Sequence, residues 1–369
     1  MRPTLASIDL GAIARNYRRL QDRVGAGRAI IAVVKADAYG HGAGPVARRL
    51  EREGASRFAV AVAEEGVALR RAGVTGQILL LNFSDPADVG THRAYGLSPA
   101  LYDLAQARRF AEAAAGFAEP LPVHVKLDTG MGRIGFRPEE LGALGDVLRR
   151  ARGLRVAGTF GNLASAEDPG SPRTAEQVER LKAGAEALAA ARISPGVVHL
   201  ANSAGVLLHP GSWLDAVRPG LALYGVSPAG ESRNDDALEP AMSLETRVMA
   251  VRELPAGVEL GYGGRFVTRR PSAIAVLPIG YHDGFRRSFS GRVRVLLRGK
   301  EAPVVGAVSM DLTLVDATGL GARSGERVIC LGSDGALRVT AWDLARAADT
   351  LPYEILCGIG PRVPRVYRQ

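Results

Sequence analysis

The chain of 369 residues carries a net charge of +9 and is 47% hydrophobic and 23% charged, the balance of a soluble globular protein and not of a disordered or fibrous one. No run of roughly eighteen uncharged apolar residues offers a membrane span, and the start MRPTLASIDLGAIARNYRRL has no apolar stretch followed by a small-residue cleavage site, so a cytoplasmic protein without membrane attachment is expected. The basic residues are scattered and not clustered, which argues against nucleic acid as a partner, and the two cysteines, Cys330 and Cys357, are too few for a disulfide framework and read as buried core thiols.

The first strand-like segment, TLASIDL, precedes the first helix and is expected to pair with the C-terminal part of the chain. From about residue 11 to 230, short apolar runs alternate with Ala/Leu/Arg-rich segments of helical period, the pattern of βα units around a parallel sheet. The predicted strands are Ala29–Val34, Phe58–Val62, Ile78–Asn82, Leu97–Leu101, Val123–Leu127, Val156–Phe160, Val197–Leu200 and Leu221–Tyr224, with intervening helices such as Pro45–Glu53 and Thr174–Ala191. Eight such units predict an α/β fold, a (β/α)8 TIM-like barrel, with its functional site at the carboxyl ends of the strands. After Gly230 the stretch ESRNDDALEP reads as a linker. Beyond it the alternation gives way to short β-rich runs broken by Gly and Pro, with one helix at Thr340–Ala348, so a mostly β C-terminal domain is expected. The predicted division is 1–10, 11–235 and 236–369.

Only Lys35, Lys126, Lys182 and Lys300 are lysines, against 43 arginines, so each lysine stands out. Lys182, within a helix, and Lys300, in a turn, read as solvated. Lys126 ends the strand VHVKLD. Lys35 ends another at the barrel mouth and is followed by ADAYGHG, where Gly40 and Gly42 permit close backbone approach and Tyr39 supplies a hydroxyl. A desolvated lysine there is a nucleophile toward carbonyls, including the aldehyde of pyridoxal phosphate. A phosphate needs an anion site, which barrels often build after strands seven and eight. HLANSAG offers Asn202 and Ser203, which also read as an ordinary helix cap, and VRPGLALYG offers Gly220. Arg218 could donate to a pyridine nitrogen without protonating it, or form a surface ion pair.

Together VVKADAYGHG, KLDTGMGRIGF, HLANSAG, VRPGLALYG, LGYGGRF, PIGYHDGF, GAVSMD and YEILCGIGPRVPRVY resemble the alanine racemase family of pyridoxal-phosphate enzymes, in register over essentially the whole chain. The resemblance implies a barrel followed by a β-domain, and two-base racemisation interconverting L- and D-alanine. It implies that Lys35 holds pyridoxal 5'-phosphate as a Schiff base and acts as one base, with Tyr262 as the other. It further implies phosphate contacts from Tyr39, Ser203, Gly220, Leu221 and Tyr353, with Asn202 beside them. By the same likeness Arg218 faces the pyridine nitrogen, Arg133 lies near the substrate carboxylate, and Lys126 is a carbamylation site paired with that arginine. Met310 and Tyr281 match residues that close the substrate pocket. In the family Tyr262 and Met310 would come from a second subunit, which implies a homodimer with composite sites.

The chain departs from the family where THFA is usual: it reads GNLASAED, with Asn162 at the usual histidine position. Asparagine can donate a hydrogen bond but cannot carry charge. Ser309 and Ala307 are milder departures near the pocket. No histidine shows metal-ligand spacing, and no catalytic metal is expected. Rival readings are a racemase of serine or several small amino acids, a pyridoxal-phosphate homeostasis protein, which typically is a barrel alone, and a relative of the basic amino-acid decarboxylases.

Overall fold

The computed structural model describes residues 3–230 and 237–369. The first six residues of the expected linker and the predicted boundary at 235/236 lie outside the described residues. The N-terminal part is a barrel of parallel strands, Arg57–Val60, Gln77–Leu80, Leu97–Leu101, Leu121–Lys126, Leu154–Phe160, Val197–His199 and Ala216–Val217, each paired with the next. The first strand closes the ring in two halves. Ala29–Ile30 pairs with Ala216–Val217, and Ala32–Val33 pairs with Phe58–Ala59, so one segment serves the two ends of the sheet.

Two expectations fail here. Leu221–Tyr224 is not the eighth strand but a 3-10 turn, and the strand is the two-residue segment Ala216–Val217 before Arg218. Apolar runs this short carry no period by which to tell a strand from a turn. Cys357 ends the helix Pro352–Cys357 at the surface, whereas Cys330 is fully buried in the strand Arg327–Asp334.

The barrel helices form by ordinary means. Asp9 caps Leu10–Val24 by accepting from the Ala12 amide, and Asp103 caps Leu104–Ala113 by accepting from Gln106. The C-terminal part is a ten-stranded sheet, antiparallel save for one pair. Leu5–Asp9 lies inside it, antiparallel to Met242–Arg247 and parallel to Arg365–Arg368. A continuous apolar core runs from the barrel interior, through Tyr224 and Met242, to Leu296 and Leu356. This fastens the β-domain against the Lys35 end of the barrel.

Candidate active site

Lys35 stands at the carboxyl end of the split strand, half-buried, and its Nζ makes no hydrogen bond among the described residues. Burial lowers its pKa, and the Arg133 charge lowers it further, with Glu65 and Cys357 acting in the opposite sense. The amine is therefore held closer to its neutral, nucleophilic form than a surface lysine.

The chain then takes an unusual path. Ala36, Asp37, Ala38 and Tyr39 all have φ between 51° and 54° and ψ between 42° and 49°, a full left-handed turn built from residues other than glycine. Each such residue costs roughly 1–2 kcal/mol. Gly40 and Gly42 follow, and the close approach they permit is to the β-domain. A Cβ on Gly40 would lie 2.5 Å from the Leu356 carbonyl oxygen, and one on Gly42 only 1.9 Å from the Tyr367 hydroxyl.

The turn buries Tyr39 between Tyr224 and Tyr353, with ring centroids 5.0 and 5.8 Å away. Its hydroxyl sits on Gly220, where a Cβ would approach it to 2.4 Å. Beside it the buried Ser203 Oγ accepts from the amides of Gly220 (2.9 Å) and Ala222 (3.1 Å), which uses both lone pairs and leaves its O–H free to donate. Leu221 lies between those two amides. Asn202 is the ordinary helix cap, its Oδ1 accepting from Gly205 at 2.9 Å. Burial pushes the Tyr353 pKa up to about 12 and the Tyr39 pKa higher, so both phenols stay protonated donors. Hydroxyls from Ser203 and Tyr39 around a glycine that admits no side chain, with the Tyr353 phenol ring packed against Tyr39, form a donor set suited to a phosphate, and a nearby lysine suits an aldehyde. These residues fit pyridoxal phosphate.

Arg218 is buried and is no surface ion pair. Its Nη1 donates to His199 Nδ1 (2.7 Å) and to the His199 carbonyl (2.9 Å). Its Nη2 donates to the carbonyls of Gly161 (2.6 Å) and Leu200 (3.1 Å). Only Nε–H is left without a partner among the described residues. Burial lowers its pKa to about 9, still charged at neutral pH. Because arginine can only donate, His199 Nδ1 must be an acceptor and its Nε2 carries the proton, which it donates to His124 Nδ1 at 3.1 Å. Burial, and after it the Arg218 charge, holds both imidazoles well below the usual histidine pKa, His124 at about 3. Phe160 stacks on His199 and lies under Arg218 at 5.1 Å and Lys126 at 5.4 Å.

Lys126 donates to the Leu81 carbonyl at 3.3 Å, and burial, followed by the charges of Arg133, Arg218 and Lys35, brings its pKa to about 7. Arg133 rides an exposed loop fixed by Asp128, whose carboxylate accepts from the amides of Gly130 (3.0 Å), Met131 (2.9 Å) and Gly132 (3.1 Å). The amide orientation of Asn162 follows from its neighbours: the nitrogen donates to Gly161 O at 3.0 Å and the oxygen accepts from Arg133 Nη2 at 3.1 Å. The Gly161 carbonyl thus collects bonds from Asn162 and Arg218, so the two arginines are linked through the Asn162 amide and that carbonyl. Gln177, also buried, donates to the Asn162 carbonyl (2.7 Å) and to Thr129 Oγ1 (3.2 Å), tying this loop to Arg133's.

Tyr262, Tyr281 and Met310 do not join this cluster. They lie together on the β-domain. Tyr281 donates through its amide to the Ser309 carbonyl at 3.0 Å, His282 to the Met310 carbonyl at 3.2 Å, and Gly261 passes beside Ala307. Their side chains are 69%, 41% and 50% exposed and share no hydrogen bond or ring contact with the Lys35 group among the described residues.

Sequence reasoning missed His199, His124, Glu65 and Gln177. His124 had a readable signal, since it lies two residues before Lys126 on one strand and so faces the same side. The others meet the site only through the barrel's closure.

Two family models cover the chain: alanine racemase, N-terminal domain, over residues 8–228, and alanine racemase, C-terminal domain, over 241–367. Among similar proteins, the alanine racemases of Symbiobacterium thermophilum and Halothermothrix orenii are 44% and 39% identical, each matching 100% of this chain and 97% of the relative. Among solved structures, the alanine racemase from D-cycloserine producing Streptomyces lavendulae superposes with a TM-score of 0.95 at 34% identity, covering 100% of this chain and 98% of that one. The alanine racemase from Bacillus anthracis with bound L-Ala-P gives 0.95 at 33% identity, covering 100% and 96%. The barrel and the β-domain are therefore those of a known lineage, and the chain belongs to the alanine racemase family.

Proposed function

We propose that this protein interconverts L- and D-alanine with pyridoxal phosphate held at Lys35, and that it works as a homodimer. The observation that carries the reading is the half-buried Lys35 amine, without a hydrogen bond among the described residues, set beside the cradle of Ser203, Gly220 and Tyr39. Bound there, pyridoxal phosphate supplies the electron sink that makes the α-proton of an attached amino acid removable. Ser203, Tyr39, Tyr353 and the backbone at Gly220 and Leu221 hold the phosphate. Arg218, pinned by carbonyls and His199, offers Nε–H to the ring nitrogen as a hydrogen bond and keeps its own proton.

Racemisation needs a base on each face of the substrate carbon. Lys35, with its lowered pKa, takes or returns the proton on one face. Tyr262 of the partner subunit serves the other, its exposure in the single chain being that of a residue turned toward a second copy. Met310 and Tyr281 arrive with it and bound the pocket. Arg133, oriented by Asn162 and the Asp128 loop, pairs the substrate carboxylate. Lys126, near neutrality and crowded by cations, is suited to carbamylation, which would replace a fourth positive charge with a negative one. The working division of the chain is 1–10 with the β-domain, 11–235 as barrel and 236–369 as β-domain. No helix among the described residues is long and apolar enough to cross a membrane, in keeping with a cytoplasmic enzyme.

The test is chiral analysis of L-alanine incubated with purified protein and pyridoxal phosphate. Convergence to equal amounts of the two enantiomers is expected. Protein that holds the cofactor but forms no D-alanine would refute the reading, and a panel including serine would then show whether another amino acid is the substrate.

A further inference from the structure

The left-handed turn at Ala36–Tyr39 must be held against its own backbone preference, and such a conformation persists only where its surroundings over-determine it. Three side chains do so. Glu65 accepts from the Ala36 amide at 2.7 Å and, through its other oxygen, from Ala61 at 2.7 Å, which anchors the start of the turn to the neighbouring strand. Asp37 Oδ1 accepts from Ala43 at 2.7 Å and joins the turn to the next helix. The third is His41, fully buried, whose Nδ1 lies 3.0 Å from the carbonyl oxygens of both Ala38 and Tyr39.

Two carbonyl oxygens around one ring nitrogen fix the tautomer, because only an N–H can satisfy them. His41 Nδ1 therefore carries the proton and Nε2 the lone pair, for which no partner exists among the described residues. Burial lowers the pKa to about 4, so the ring is neutral and does not serve in proton transfer. The ring stacks on Tyr224 with centroids 4.5 Å apart, and the Tyr224 hydroxyl donates to the Val33 carbonyl at 2.8 Å. The end of the turn is thus connected through His41 and Tyr224 to the strand that enters it, with Lys35 between.

We infer that His41 is a positioning residue: its Nδ1–H clamps the left-handed turn and thereby fixes the Tyr39 hydroxyl over Gly220, where it meets the cofactor phosphate. This rests on the assignment of Tyr39 and Lys35 to pyridoxal phosphate made above. Burial of an unpartnered Nε2 counts against His41 as mere filler, since an apolar ring of the same shape would avoid that cost.

The test compares full-length wild type with His41→Phe, which keeps the stack without the donor, and His41→Asn, which keeps an N–H on the atom bonded to Cγ. The readouts are the dissociation constant for pyridoxal phosphate, from titration of protein freed of cofactor, and the visible absorbance of the lysine-linked form. His41→Phe is expected to weaken cofactor binding about tenfold or more, while His41→Asn stays within about threefold of wild type. With cofactor saturating, KM for alanine should hold in both. Equal affinity in all three proteins overturns the clamp alone. Equal loss in both variants also overturns it, because the donor that His41→Asn keeps would then not hold the turn, and loss in His41→Asn alone overturns it in favour of the ring. Wild type that binds no pyridoxal phosphate overturns the clamp together with the cofactor assignment. Should His41→Phe fail to fold, nitrogen NMR of wild type decides: a protonated Nδ1 supports the clamp, and a protonated Nε2 sinks it.

Discussion

The barrel mouth and the exposed face of the β-domain hold the two halves of one proposed site, and they are built in opposite ways. Around Lys35 the supporting side chains are held within the chain: Arg218 by His199 and two further carbonyls, Ser203 by two amides, Asn162 by Arg133 and Gly161, with Lys35 Nζ, the Ser203 O–H and Arg218 Nε–H left open among the described residues. On the β-domain, Tyr262 and Tyr281 stand exposed on glycine-bounded turns, and Met310 is exposed beside them. One half is finished within the chain. The other is presented outward, with its backbone fixed, for instance by buried Asp283 accepting from Gly280 and Arg362, and its side chains unused. The contrast teaches that pre-organisation of a shared site can be divided, so that in the proposed homodimer each copy would complete the other without refolding.

The sharpest test of that division removes one base from each half. Lys35→Ala is expected to lower racemisation by at least about 10^4, and Tyr262→Phe by about 10^2 to 10^4, measured as kcat in both directions. Because the Tyr262 side chain is exposed, Tyr262→Phe should leave the melting temperature unchanged. A clear drop would mean that the Tyr262 hydroxyl also supports the fold or the dimer. When the two inactive proteins are co-expressed, composite sites predict recovery of about a quarter of wild-type activity, since each mixed dimer regains one intact site. No recovery would place both bases in the same chain.

Next in size is the committed half itself. Arg218→Met leaves three carbonyls and His199 without their donor in a buried setting, and should cost about 3–5 kcal/mol of stability by urea unfolding. The fully buried, neutral His41 and His199 predict a pH effect. Their folded pKa values lie below the ordinary 6.5, so under acid conditions the unfolded chain binds more protons than the native one. Stability is then intact above about pH 6.5 and falls as pH drops toward 4, by up to about 1.4 kcal/mol per pH unit for each histidine. Urea midpoints that stay level over that range would show that these rings are not held neutral.

The smallest expected effect lies at Asn162. Asn162→Leu removes an acceptor from Arg133 and should raise KM for alanine several-fold with kcat little changed. Asn162→His should shift the pH–rate profile. If neither direction of racemisation moves, the position is not coupled to the bases.

Much of this was legible in the sequence, for identifiable reasons. Strands such as Ile78–Asn82 are apolar runs bounded by glycine and turn residues, and Lys35 shows itself as a charge closing such a run. Leu221–Tyr224 misled because LALY is equally apolar, while the real strand, Ala216–Val217, has only two residues and is defined by partners 187 residues away at Ala29–Ile30. The left-handed turn is written in Ala, Asp and Tyr, none of which announces a positive φ, so only Gly40 and Gly42 hinted at it. The Arg218–His199–His124 relay joins two strands 75 residues apart, a relation that only the closed barrel reveals.

The strand Leu5–Asp9 carries a further consequence, for the order in which the protein is made. It precedes every barrel helix in the chain, yet its neighbours in the sheet are residues 242–247 and 365–368. Its backbone donors and acceptors therefore lack these partners until residues 242–247 and 365–368 have been made, while the barrel helices that follow it already have local partners. The ten-stranded sheet can be completed only once residue 368 has been synthesised, which makes its closing a long-range event and the emerging chain a natural client for factors that shield open strand edges.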